Sequence, residues 1–488
     1  MKTKIKKKWF FLILIIIFFY IFISNLILNT EYNNYLKLKS LIPNSIKHQL
    51  KKTIFIIPTL KKELNFLVYE NENLKLKLKK KNEIIDDLKK KIPDDINESI
   101  KFERLKKNEK IITKFSEYKY SQFITYNLLN GKADDAVASG YIEEINDKIL
   151  IANADGTFLY FKKKELFEDE FKANIIKTNI KDIITNPLFY VKSKFGIKDI
   201  FLDNGKLFVS FSNLISKDCY NTSILEAEFN LDYLKFEIFF NPKECIKKDN
   251  EFGSFNAHIA GGKITNFVNN QLIFSTGSFQ YSTQAQNEKN VFGKILAINK
   301  ETKEWKIVSM GHRNVQGLGY DKGNDVIYSS EHGPIGGDEF NLNLSPSSSN
   351  IKNYGWPISS YGEHYGGKSK KNELKYIKAP LKKSHSKYGF IEPLKYFTPS
   401  IGISELIKIP KKFNQNFEND FFISALGKNR EEGDLSIHHL KLDKNFKKIL
   451  KNDVIFIGER IRDMKYIGDI NRIILFTENS PGIGILTM

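Results

Sequence analysis

The residues best suited to chemistry lie close together between Gly311 and Gly362. His312, Arg313, Asn314 and Gln316 interrupt a stretch that otherwise alternates apolar and polar residues. Such a concentration of fixed hydrogen-bonding groups suits an anionic or multiply oxygenated ligand. Shortly after, the run EHGPIGGDE joins glycine- and proline-shaped backbone to Asp338 and Glu339. Turns of this kind expose carbonyl oxygens, and with carboxylates beside them they make a site for a hard cation. Further on, Arg460 and Arg462 alternate, so a strand puts both on one face, where guanidinium groups pair well with carboxylates. Singly, each piece has a plain structural explanation, a capped turn or a surface ion pair. In combination, and followed by NYGWP, they point to one site.

The elements that must carry these residues read as strands. From about Ser116 onward the chain runs in short alternating stretches between turn residues, such as KILIANADGTFLYF, KLFVSFSNL, NQLIFSTGSF, DVIYSSEHG, DFFISALG and RIILFTENS. Each begins in a polar turn and alternates β-branched or aromatic residues before ending in small or polar ones. No long amphipathic helix intervenes. This texture predicts an all-β domain, a β-propeller of four-stranded sheets around a channel, although the repeat is too weak to count the blades.

The runs GHRN-x-QGL, SEHGP-x-GGDE-x-N and NYGWP-x-x-SYG resemble the most characteristic stretch of the glucose/aldose and sorbosone dehydrogenase family, which uses pyrroloquinoline quinone (PQQ) and calcium. HIAGGKI, opening at His258, is similar to the family segment that supplies the catalytic base. TPSIGIS, which contains Ser400, is similar to the segment lining the cofactor, and ERIRDM is close to the family's R-x-R-D. The likeness covers roughly Ser116 to the C-terminus and is strongest from Phe252 onward.

The resemblance implies a six-bladed propeller that oxidises a sugar or polyol hydroxyl with hydride transfer to PQQ. In that frame His258 takes the hydroxyl proton, and Arg313 faces the quinone oxygen where negative charge develops. Asn314, Gln316, Ser400, Lys428, Arg460, Arg462 and Glu478 would contact the cofactor. The carbonyls of Gly333 and Pro334 would hold the polarising calcium. Asp338, Glu339 and Tyr354 fall where the family places structural-calcium and loop-bracing groups. His364, His385, His438 and His439 read as surface or structural. Two departures stand out: Ala257 precedes the base where a polar or acidic residue is common, and Glu478 replaces a usual Asp. The alternative is a non-catalytic propeller binding a carbohydrate or protein ligand at the same face.

The N-terminal part reads differently. Trp9 to Leu28 is apolar almost without interruption, and about 20 such residues cross a bilayer as a helix. Lys2, Lys4, Lys6, Lys7 and Lys8 precede it, which keeps the N-terminus cytoplasmic and sends the rest across. No small-x-small cleavage site follows, so a signal anchor over residues 1–30 is favoured over a removable signal peptide. A stalk over residues 31–115 follows. Within it Leu60, Leu64, Leu67, Leu74, Leu78, Ile85, Leu88 and Ile92, with Asn71 and Lys81 filling the gaps, keep a four-three step. That is a coiled-coil seam with Asn71 at a central position, which predicts a parallel homodimer; a single amphipathic helix packed on the propeller is the other reading. The formal charge of +19 comes from scattered lysines rather than a basic stripe with stacking aromatics, which argues against nucleic acid. Cys219 and Cys245 lie in the exported part and either form one disulfide or remain two buried thiols. The globular part, placed over residues 116–488, is expected to be periplasmic or extracellular, with its electron acceptor open.

Overall fold

The computed structural model describes Asn71 and residues 99–488, apart from 131–136, 253, 348–349 and 366–372. The apolar N-terminal span and nearly all of the coiled-coil segment lie outside the described residues; Asn71 is helical and exposed. Among the described residues no helix is long and apolar enough to cross a membrane.

The regular structure of the described residues is almost entirely strand, arranged as six four-stranded antiparallel sheets. Blade 1 comprises Gly140–Ile145, Lys148–Asn153, Phe158–Lys162 and Glu170–Thr178. Blade 2 comprises Ile197–Asp203, Lys206–Ser216, Cys219–Glu228 and Glu237–Phe240. Blade 3 runs through Gly261–Asn266, Gln271–Thr276, Lys294–Asn299 and Trp305–Met310. Blade 4 holds Val315–Asp321, Val326–Glu331, Asp338–Leu344 and, after a long excursion, Lys395–Phe397. Blade 5 is Ile403–Ile409, Asp420–Ala425, Ser436–Leu442 and Ile449–Phe456. Blade 6 takes Ile461–Ile467, Arg472–Thr477 and Gly482–Thr487 from the C-terminus, and its outer strand Glu117–Ile124 from the start of the domain. The first strand of each blade contacts the first strands of the blades before and after it, so these six inner strands close a ring. The architecture is a β-propeller.

Two devices close the ring. Pairing of Glu117–Ile124 with Gly482–Thr487 ties the two ends of the chain into one sheet. Outside it, Ser99–Ile112 pairs with both Glu117–Ile124 and Glu170–Thr178, lacing blade 6 to blade 1. The strand Ser99–Ile112, which lies within the segment expected to form the stalk, is thus part of the propeller's sheet. Sequence texture missed this strand because most of its length lies at an edge, with lysines and glutamates facing solvent.

No single core holds the domain. Six apolar clusters each fill the gap between neighbouring blades: for example Leu207, Val209 and Phe211 against Phe158 and Ile176, and Tyr118, Met464 and Leu475 against Phe422 and Ile437. Both faces of every sheet are thus covered, which explains why middle strands such as Lys148–Asn153 are buried throughout instead of alternating. Cys219 and Cys245 are joined in a disulfide that ties the third strand of blade 2 to the following loop.

Down the channel, the third residue of four inner strands meets at the axis. Lys263 of blade 3 donates to Asp199 of blade 2 at 2.7 Å and to Asp463 of blade 6 at 3.2 Å, and pairs with Glu405 of blade 5. All four are buried, and such charges are tolerated inside a protein only when paired.

Candidate active site

One mouth of the ring, where the inner strands begin, gathers most of the residues singled out from sequence. Five of the six inner strands carry a break in register near this end. A β-bulge inserts an extra residue and re-aims its side chain. In blade 4 the extra residue between Val315 and Gly317 is Gln316. In blade 6, between Ile461 and Asp463, it is Arg462. In blade 2, between Ile197 and Asp199, it is Lys198, which nothing in its sequence context singles out.

The side chains form a connected network. Arg462 donates from Nη1 to Gln316 Oε1 at 3.1 Å, Gln316 Nε2 donates to Asn314 Oδ1 at 3.1 Å, and that oxygen also accepts the backbone N–H of Gly261 at 3.0 Å. Glu478, almost wholly buried, bridges both arginines: Arg460 Nη2 at 2.8 Å and Arg462 Nε at 2.7 Å. Arg460 also donates to the Leu426 carbonyl. Two guanidinium groups thus share one carboxylate. Among the described residues Arg313 has no carboxylate on its guanidinium; Nη1 donates to the His332 carbonyl at 3.0 Å and the group lies 5.5 Å from the Trp356 ring.

His258 stands on the loop before blade 3's inner strand, held by its backbone N–H on Asn256 Oδ1 at 2.9 Å. Its side is open to the mouth, yet desolvation, followed by the positive charges of Lys198, Arg462, Lys194 and His332, pushes its pKa down to about 3. The imidazole is neutral at physiological pH and able to accept a proton. Lys198 is itself lowered to about 7, by burial and then by Arg462.

A buried chain of groups fixes Arg313. His312, fully buried, lies 2.8 Å from Ser309 Oγ through Nε2 and 2.9 Å from Glu331 Oε2 through Nδ1. Glu331 also accepts the Arg313 backbone N–H. The order Ser-His-Glu has the connectivity of a nucleophile triad, but all three side chains are buried, so its work is to hold the strand entry that carries Arg313.

Other expectations are relocated. Lys428 is exposed on the loop after Asp420–Ala425; its backbone N–H lies on the Asp434 carboxylate, and its ammonium group forms no ion pair with a described carboxylate and stands outside the network. Ser400 braces the EHGP loop: its Oγ donates to the Pro334 carbonyl at 3.0 Å and accepts from Gly337 N at 3.1 Å. Asp338 accepts the N–H groups of Gly333 at 3.0 Å and Ile403 at 2.9 Å; burial works against its charge, but His332 and these N–H groups hold its pKa below the usual value. Glu339 faces His385 at 3.4 Å and accepts from Asn341 at 3.1 Å, and Tyr354 donates to the Leu342 carbonyl at 2.8 Å. These contacts have Asp338, Glu339 and Tyr354 bracing the loops around the EHGP segment, one of the two roles expected of them. Among the described residues no group of three or more His, Cys, Asp or Glu side chains is arranged to hold a metal ion. Gly333 is required by close approach, since a Cβ there would stand 1.7 Å from the Gly337 carbonyl oxygen. His385, His438 and His439 are buried structural residues; His439 pairs with Asp420 at 2.6 Å.

Comparison with known proteins agrees with this geometry. The family model described as glucose/sorbosone dehydrogenase matches residues 145–486. An uncharacterized protein of Synechocystis sp. is 30% identical over 210 residues, 40% of this chain and 46% of that protein, so the match spans about half of that relative's length. The aldose sugar dehydrogenase YliI of Escherichia coli is 24% identical over 298 residues, 58% of this chain and 72% of the enzyme. The crystal structure of the soluble aldose sugar dehydrogenase of Escherichia coli in its apo form superposes with a TM-score of 0.55 at 19% identity, covering 72% of this chain and 96% of that one. With the family model spanning most of the chain and the mouth residues assembled as described, the chain belongs to the glucose/sorbosone dehydrogenase family.

Proposed function

We propose that the propeller is a PQQ-dependent dehydrogenase that oxidises a hydroxyl of a sugar or polyol. The observation that carries this reading is the excess positive charge at the mouth beside a neutral imidazole. Arg460 and Arg462 share only Glu478, while Arg313 and Lys198 meet backbone carbonyls and no carboxylate among the described residues. A planar quinone bearing three carboxylates has the charge that this set lacks. When bound, the quinone supplies the hydride acceptor for the sugar carbon.

The chain's own residues do the rest. Arg460 and Arg462, held in register by Glu478, would pair with cofactor carboxylates. Gln316 and Asn314 orient hydrogen bonds on the same face. His258 would accept the hydroxyl proton of the substrate as its carbon is oxidised, a general-base role open to its neutral imidazole and strengthened once an anionic cofactor offsets the surrounding cations and raises its pKa. Arg313, anchored through Glu331, offers a fixed positive charge where negative charge accumulates on the acceptor side. Calcium fits only through the backbone carbonyls of Gly333 and Pro334, the second of which already accepts from Ser400 and Gly337, so no step here is routed through a metal.

The Lys-flanked apolar span before residue 30 supports a signal-anchored protein with the propeller outside the cytoplasm, and the Cys219–Cys245 disulfide suits that oxidising location. Dimerisation through residues 60–92 is the accompanying proposal for the stalk. Reconstitution of the detergent-solubilised chain with PQQ and calcium tests the enzymatic reading: it requires a bound-quinone spectrum and dye reduction with aldoses. No quinone binding at micromolar concentration refutes it in favour of a binding module.

A further inference from the structure

Lys198 is the third of three side chains that β-bulges re-aim at the mouth, and its two counterparts, Gln316 and Arg462, are hydrogen-bonded to each other. Its stem packs on the start of blade 3's inner strand, which follows the loop carrying the base: a Cβ added at Gly262 would come within 2.2 Å of Lys198 Cβ. Lys198 Nζ donates to the carbonyls of Ser193 at 3.2 Å and Lys194 at 2.8 Å, both backbone groups, and forms no ion pair with a described carboxylate. After Lys198, the cation with the largest effect on His258 is Arg462, followed by Lys194. A half-buried ammonium group held by neutral carbonyls, on the side of the base away from Arg313's anchor in blade 4, lacks the counter-charge that such a group normally has.

We propose that Lys198 selects substrates, binding a carboxylate carried by the sugar so that the enzyme prefers acidic sugars, of the uronic acid class, over their neutral counterparts. This rests on the dehydrogenase reading above and specifies the substrate class for the same site. During turnover the hydroxyl O–H proton passes to His258, the C–H bond breaks as hydride to the quinone, and the substrate carbon becomes a carbonyl. The substrate carboxylate takes no part in the bond changes. It fixes which hydroxyl reaches His258, and the ion pair with Lys198 forms in a mouth where solvent competes poorly.

The test compares galacturonate with galactose, which differ by a carboxylate against a hydroxymethyl group, using the full chain in detergent loaded with PQQ and calcium. The expected result is a higher kcat/KM for galacturonate, a galacturonate-to-galactose ratio that falls about tenfold or more in Lys198→Gln, and a ratio largely restored in Lys198→Arg. Calorimetric titration of the quinone-free chain with galacturonate should show binding that Lys198→Gln weakens. Equal kcat/KM for the two sugars, or a ratio unchanged by Lys198→Gln, overturns the inference while leaving the dehydrogenase reading intact. A loss of PQQ affinity in Lys198→Gln with an unchanged ratio also overturns it, by making Lys198 a cofactor ligand. Failure of the dehydrogenase reading shows separately, as absent dye reduction with both sugars, and galacturonate binding that depends on Lys198 would then still support the carboxylate site.

Discussion

The protonation state of His258 is the most exacting quantity to measure. An unperturbed histidine titrates near 6.5, whereas desolvation and the cations Lys198, Arg462 and Lys194 bring this one to about 3. At pH 5 the ring would then carry a proton in about 1% of molecules, against about 97% for an ordinary histidine. The assay is a pH titration of ring carbon shifts in the quinone-free chain labelled at its 8 histidines, with the His258 signal assigned by its loss in His258→Ala. The sign follows from the cause. Removing a cation in Lys198→Gln raises the midpoint, and loading with anionic PQQ raises it further, because both lessen the positive field. Protonation is thus favoured less in the folded chain than in the unfolded one, so acidification from pH 6.5 toward 3 withdraws stability at this residue. A midpoint near 6.5 in the quinone-free chain, unmoved by Lys198→Gln, would refute the account of how the mouth keeps its base neutral.

Three further outcomes are expected. In His258→Ala, turnover of the reconstituted enzyme falls by about 10²–10⁴-fold while quinone binding, read from its absorbance, persists. Glu478→Gln leaves two partly buried guanidinium groups without their shared carboxylate and lowers stability by about 3 kcal/mol, measured as a drop in Tm; added PQQ recovers part of it by binding the folded state. The double substitution Cys219→Ser/Cys245→Ser releases a loop with a sequence separation of 26 and lowers stability by about 3.5 kcal/mol in chemical denaturation, on the chain-entropy model.

Much of the site was legible before any coordinates. Arg313, Asn314 and Gln316 sit at one strand entry as their closeness in sequence suggests, and Arg460 and Arg462 do meet on Glu478, although Arg460 precedes the strand and Arg462 is its bulge residue. His258 does lie at the mouth, in the positive field of Arg462. The contacts that the sequence does not reveal share a cause. Lys428, Ser400, Asp338, Glu339 and Tyr354 have side chains that a ligand could use, but hydrogen-bond partners, or their absence, come from distant segments: Ile403 for Asp338, His385 for Glu339, Pro334 for Ser400. Sequence spacing carries no record of those contacts.

What the sequence determined by itself was the strand texture and the local motifs, because alternation of apolar and polar residues and short-range turn chemistry are properties of neighbours along the chain. What only the tertiary structure decided was closure and aim. Glu117–Ile124 pairs with Gly482–Thr487 across most of the domain's length, Ser99–Ile112 laces that sheet to blade 1, and register breaks, visible only once two strands are paired, turn Lys198, Gln316 and Arg462 toward one opening. A bulge is a relation between two strands, so no single stretch of residues contains it.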